Sequence, residues 1–108
     1  MEHLAEYFKV FSEPNRLAVL VALRNGPLNV RAVVEATGLS QALVSKHLKL
    51  LTIAGVVQRR PEGSLVFYAV NDKGIFKLIG QACTVVFRFY DDVGEWAGVH
   101  RFTHAPGS

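Results

Sequence analysis

Between Gln41 and Lys49 the chain carries an amide, a hydroxyl and two ammonium groups, on Gln41, Ser45, Lys46 and Lys49, with the small Ala42 among them and no carboxylate. Val44, Leu48 and Leu51 recur at three- and four-residue steps through the same stretch, the spacing of one buried helical face. The polar set then falls on the opposite, exposed face. Amides and hydroxyls match the donor and acceptor edges of bases in a major groove, and ammonium groups match phosphates. An ordinary surface helix mixes both signs of charge, so the one-sided chemistry favours contact with DNA over mere solvation. Lys46 and Lys49 suit phosphate better than bases. His47 lies toward the edge of the buried stripe, where it either packs and hydrogen-bonds or reaches a phosphate.

The flanking residues set the limits of that helix. Gly38 suits a tight turn, Ser40 is a good N-cap, and Gly55 stands where a helix ends on a left-handed residue, which predicts a helix from about Gln41 to Ala54. Leu39 packs just ahead of it. Upstream, Leu4, Phe8 and Phe11 mark a short amphipathic helix ending near Ser12. Pro14 opens a second helix that runs to about Arg24 and is stopped by Gly26-Pro27, with Leu17, Leu20, Val21 and Leu23 as its apolar residues. Asn29 caps a third helix, Val30 to Thr37, with Val30, Val33 and Val34 as candidates for its packed side. Two helices separated by a short turn containing Gly make a helix-turn-helix.

Downstream, Val56 to Arg60 and Leu65 to Val70 read as strands joined by the turn residues Pro61-Glu62-Gly63-Ser64, a hairpin in the position of a wing. Arg59 and Arg60 alternate along one strand, so at most one of them faces DNA; Arg60 is taken, together with Ser64 at the tip. Tyr68 is assigned to the core of the wing. Asn71 is expected to cap a final helix from Asp72 to Trp96. Its apolar residues form two stripes: Ile75, Ile79, Ala82, Val86, Tyr90 and Val93 on one, Leu78, Val85, Phe89 and Trp96 on the other. A helix apolar on two sides needs two covering surfaces, one from its own subunit and one from a second copy.

With 108 residues, half of them hydrophobic and 19% charged, the chain reads as one domain over 1–98 with a flexible tail over 99–108. The net charge of +3 permits nucleic acid as a partner without requiring it. A single Cys83 excludes an internal disulfide and fits a reducing compartment. The start, MEHLAEYFKVF, lacks the pattern of a signal peptide, and no apolar run approaches the roughly 20 residues that span a bilayer. A cytoplasmic location without membrane association is therefore expected. No nucleophile, base and orienting group stand at a telling spacing, and there is no phosphate-cradling glycine loop, so no enzymatic activity is expected.

FSEPNRLAVLVAL, GLSQALVSKHLKLLTIAGVV and the hairpin ending in VFYAV resemble the ArsR/SmtB family of bacterial winged-helix repressors over about residues 5 to 72. The resemblance implies a mainly α fold with a small β-hairpin, about five helices plus a two-stranded wing, dimerising through its terminal helices. It further implies a homodimer that binds a pseudo-palindromic double-stranded operator and releases it to an effector, whose identity the sequence leaves open. Gln41, Ser45 and His47 match family positions at the DNA surface. The full candidate DNA-contacting set is Ser40, Gln41, Ala42, Ser45, Lys46, His47, Lys49, Arg60 and Ser64.

The chain departs from the family's metal sites. Where thiolate-type members carry Cys-x-Cys at the start of the third helix, it has Leu28-Asn29-Val30-Arg31-Ala32. Where zinc- and nickel-type members place Asp and His two residues apart at the start of the last helix, it has Asp72-Lys73-Gly74. No metal or other cofactor is therefore expected. His100 and His104 have i, i+4 spacing but lie in a segment with weak helix signals. Cys83 reads as an inert core thiol rather than a sensor or one half of a dithiol across the dimer. Two alternatives remain: a winged-helix protein-interaction module built on the long aromatic helix, and a metal-responsive repressor using a non-standard His/Cys site.

Overall fold

A computed structural model of the chain describes the backbone of residues 1–93 and the side chains of residues 1–90. The elements are α1 (Glu2–Val10), α2 (Pro14–Ala22), α3 (Val30–Thr37), α4 (Gln41–Ile53), β1 (Val57–Glu62), β2 (Leu65–Val70) and α5 (Gly74–Val93). Residues 1–73 form one compact unit, and α5 opens a second. Trp96, His100, His104 and the tail expected from residue 99 lie outside the described residues.

In the first unit the local signals act as their chemistry requires. Pro14 occupies the first turn of α2, where its missing N–H costs nothing, and the Glu13 carboxylate caps that helix by accepting the Arg16 N–H at 2.9 Å. Asn29 caps α3 in the same way through the Ala32 N–H, also at 2.9 Å. Gly38 ends α3 at φ +75°, and its N–H returns to the Val34 carbonyl. Only Gly38, Leu39 and Ser40 then separate α3 from α4, whose N-cap Ser40 accepts the Leu43 N–H at 3.2 Å.

The end of α4 is equally defined. The Gly55 N–H bonds to the Thr52 carbonyl and the Val56 N–H to the Leu51 carbonyl, the pair of bonds of a Schellman motif, with Gly55 at φ +79°. A methyl group at Gly55 would meet open space, so only backbone strain opposes it. Gly55→Ala is therefore expected to lower stability by about 1–2 kcal/mol, the cost of a left-handed conformation for an L-residue, read as an earlier urea midpoint with an unchanged slope.

α4 packs on both α2 and α3. The centre of the unit is formed by Val19, Leu20 and Leu23 of α2 and its end, Val33 of α3, and Val44, Leu48 and Leu51 of α4, all at most 2% exposed. Val56, Val57 and Ala69 extend this core into the hairpin. Val19, absent from the expected apolar face of α2, is fully buried.

β1 and β2 pair antiparallel from Val57↔Val70 to Glu62↔Leu65. The wing is thus longer than expected, and its loop is Gly63-Ser64 rather than four residues. A two-residue hairpin needs a positive φ in its loop, and Gly63 supplies it at +63°. Pro61 is tolerated inside β1 because a two-stranded sheet leaves one side of each strand without a ladder partner. Leu28 adds a further short pairing: it exchanges both backbone hydrogen bonds with Tyr68, at 3.0 and 2.8 Å, and pins the wing to the segment before α3.

The start of the last helix is corrected. α5 begins at Gly74, and the Asn71 side chain donates instead to the Gly55 carbonyl at 2.8 Å, tying the end of the hairpin to the end of α4. Along α5, Ile75 is buried and Ile79, Val86 and Tyr90 are half-buried, whereas Ala82 of that stripe is exposed. On the second stripe Leu78, Val85 and Phe89 are 42%, 60% and 46% exposed. α1 buries no residue fully and leaves Leu4 and Phe8 about half exposed, while Tyr7 and Phe11 meet edge to face. No helix among the described residues is long and apolar enough to cross a membrane.

Candidate nucleic-acid interface

From Gln41 to Lys49, α4 turns its apolar stripe inward and most of its polar side chains outward. Val44, Leu48 and Leu51 face inward, and Gln41, Ala42, Ser45, Lys46 and Lys49 are all exposed. No Asp or Glu occurs anywhere in the helix. Ser40 is exposed at its start, where its oxygen caps the helix and its hydroxyl hydrogen remains available for donation. Arg60 and Ser64 are exposed on the wing, as is Arg59, with Arg60 opposite Phe67 and Arg59 opposite Tyr68.

Two of these exposed groups share a concavity. A groove of about 570 Å³ is lined by Asn29 and Arg31 at the start of α3, Gln41 at the start of α4, and Ser64 and Leu65 at the tip of the wing. The tertiary structure thus brings the first turn of α4 and the wing tip to one recess. It adds Arg31, which lies in the segment where the family's Cys-x-Cys motif is missing. Arg31 is exposed and 3.6 Å from Glu35, a solvated pair of little strength.

His47 stands apart from the rest of the expected set. It is 3% exposed, and its ring belongs to the seam between α2 and α4 rather than to the outer face. Nε2 lies 3.2 Å from Glu13 Oε2, and Nδ1 accepts from Arg16 Nε at 3.5 Å. Of its two sequence readings, the structure therefore takes the packing and hydrogen-bonding one. Burial, followed by the charges of Arg16 and Lys46, holds the imidazole below its ordinary range, and the Glu13 carboxylate opposes them without prevailing. Sequence gave no sign of Glu13 and Arg16 beyond their place beside Pro14.

Among the described residues no three His, Cys, Asp or Glu side chains cluster in a way that could hold a metal ion. Cys83 is half-buried on α5.

Comparison with known proteins agrees with this geometry. Residues 13–59 match the model of the bacterial regulatory protein arsR family. The HTH-type transcriptional regulator MJ1325 of Methanocaldococcus jannaschii is 38% identical over 84 residues, which cover 74% of this chain and 94% of that protein. The HTH-type transcriptional regulator NmtR of Mycobacterium tuberculosis is 34% identical over 79 residues, 73% of this chain and 66% of that protein. Among solved structures, the homodimeric winged helix-turn-helix DNA-binding domain Mb0332 of Mycobacterium bovis superposes with a TM-score of 0.72 at 25% identity, covering 84% of each chain. The chain belongs to the arsR family and is a transcriptional regulator with a winged helix-turn-helix DNA-binding domain.

Proposed function

We propose that the protein is a homodimeric, sequence-specific repressor in which each copy lays α4 in a major groove of a pseudo-palindromic operator. The observation that carries this reading is the face of α4, where every exposed polar side chain is neutral or cationic. Gln41 and Ser45 contact base edges, Lys46 and Lys49 contact phosphates, and Arg60 and Ser64 of the wing contact the flanking backbone. Arg31 joins the backbone contacts, because it lines the recess between Gln41 and Ser64. Ser40 and Ala42 lie close to the DNA at the entry of the helix; His47 supports that surface from behind.

A second copy is favoured by the exposed apolar side chains of Leu78, Val85 and Phe89 on α5 and of Leu4 and Phe8 on α1. The homodimeric state of the Mycobacterium bovis domain supports the same assembly. Two-fold symmetry then imposes symmetric half-sites about one helical turn apart.

The test is selection of bound duplexes from a random pool, followed by fluorescence anisotropy of the selected and a scrambled duplex across a salt series. Binding should favour the selected duplex and weaken steeply with salt. Equal affinity for both duplexes at every salt concentration would overturn the reading. Lys46→Ala and Lys49→Ala are each expected to weaken both duplexes alike and to flatten the slope of log K against log salt by about one. Gln41→Ala or Ser45→Ala should instead relax the preference for the selected sequence, at a cost of about 1–3 kcal/mol for that duplex.

A further inference from the structure

His47 lies at the centre of a hydrogen-bonded junction of three helices. Glu13 Oε2 accepts the Arg16 backbone N–H and lies 3.2 Å from His47 Nε2, and the Arg16 guanidinium donates to His47 Nδ1 and, at 3.3 Å, to the Val10 carbonyl at the end of α1. Only a neutral imidazole with its hydrogen on Nε2 makes both ring contacts, since Nε2–H must donate to the carboxylate while Nδ1 keeps a lone pair for the guanidinium. A doubly protonated ring retains Glu13 but turns an N–H toward the Arg16 N–H, and that second bond is lost.

We propose that Glu13 and Arg16 are positioning residues for DNA reading, fixing through His47 the rotation of α4 on α2 and thus the direction in which Gln41, Ser45 and Lys49 project. This inference rests on the proposed role of α4 as the operator-contacting helix. Apolar ridges alone allow neighbouring packing arrangements of similar energy, whereas directional bonds to a buried polar group select one register. His47 is one turn from both Leu51 and Val44 and lies between Ser45 and Lys49 in sequence, so its placement is transmitted directly to the exposed face.

The pH dependence follows from the same contacts. The charged groups acting on the ring are Glu13 and Arg16 from α2 and Lys46 from α4 itself, while the α3 charges Arg31 and Glu35 pair with each other at the surface. Glu13 is also held low: burial pushes its carboxyl up, but the N–H groups of Arg16 and Asn15 and the charges of His47 and Arg16 outweigh it. Both groups therefore bind protons less readily in the folded than in the unfolded chain. The junction is intact above the ordinary imidazole value of about 6.5 and is lost as pH falls from there through the lower folded value; Glu13 adds a further loss below about 4.5.

The experiment uses the full chain and the duplex it selects from a random pool, and reads the ratio of affinities for selected and random duplex, with a thermal melt of each variant. Glu13→Ala is expected to cut that ratio about tenfold, the effect of one lost hydrogen bond to a charged group. Affinity for random duplex, carried by the lysines, should change by less than about twofold. Glu13→Gln keeps an acceptor for His47 and for the Arg16 N–H and should restore most of the ratio. His47→Gln offers one amide N–H to Glu13 and its carbonyl to Arg16, yet does not titrate. It should match the wild type at neutral pH and lose the fall in ratio that the wild type shows from pH 7 to about pH 5.

A wild-type chain that prefers no duplex overturns the operator reading itself. A wild-type chain that does prefer one, with Glu13→Ala holding the same ratio or His47→Gln the same acid fall, overturns the positioning role alone. Should Glu13→Ala fail to fold, the pH profile of His47→Gln decides.

Discussion

Val85→Glu is expected to convert the proposed dimer to a monomer and to weaken binding of the selected duplex on the order of a hundredfold or more. Val85 is 60% exposed in the single chain, between Leu78 one way along the helix and Phe89 the other, so a carboxylate there disturbs little packing within the chain. In the proposed dimer the second copy would close the same position. Burying a Val, Leu or Phe side chain contributes about 1.5–3 kcal/mol, and an unpaired carboxylate at the centre of such a patch removes that gain and adds the cost of desolvating a charge. A monomer engages one half-site, and the second α4 no longer binds at the high effective concentration its partner provides. Light scattering should give the mass of one chain, with the helical circular dichroism signal of the wild type. A Val85→Glu protein that stays dimeric and binds as before would remove the α5 stripe from the interface.

Leu48→Ala is expected to lower the free energy of unfolding by about 2–5 kcal/mol. Leu48 is fully buried in α4, the helix that packs on both α2 and α3, so its truncation leaves a cavity in a close-packed interior. For a domain whose total stability is of the order of 5–15 kcal/mol, that is a large share. The melting temperature should fall accordingly, and operator binding should fail at temperatures where the wild type still binds. Lys49, the next residue, gives the contrast. One step of a helix turns the side chain from core to solvent, so Lys49→Ala should leave the melt nearly unchanged and act only on DNA affinity and its salt dependence. A melt equally sensitive to both substitutions would contradict the assignment of the two faces.

Much of this molecule was legible in one dimension because its signals are local. Gly38, Ser40 and Gly55 bound α4 through backbone conformations and capping bonds that involve residues at most five positions away. The three- and four-residue steps of Val44, Leu48 and Leu51 mark the buried face for the same reason, since helical geometry alone sets which side chains share a side. A glycine between turn-forming residues announced the wing, although its loop proved shorter and its strands longer than composition suggested. Composition cannot tell a turn residue from one held in a ladder by its cross-strand partner, as Pro61 and Glu62 are by Val66 and Leu65.

The role of His47 lay beyond that reach. Its position at the margin of the apolar stripe is compatible with either side, and its partners Glu13 and Arg16 are more than thirty residues earlier in the chain. Nothing near His47 in sequence signals that a carboxylate and a guanidinium will meet its two nitrogens. The recess that gathers Arg31, Gln41 and Ser64 has the same origin, because α3, α4 and the wing, distant in sequence, all contribute to it. Asn71, a plausible cap by its type, is claimed instead by the Gly55 carbonyl sixteen residues away. Sequence by itself determined where the helices lie, the caps at Asn29 and Ser40, the presence of the wing and the cationic face, all of which follow from neighbours along the chain. Tertiary structure decided which polar groups turn inward and which surfaces converge, because those depend on packing that brings distant residues within hydrogen-bonding range.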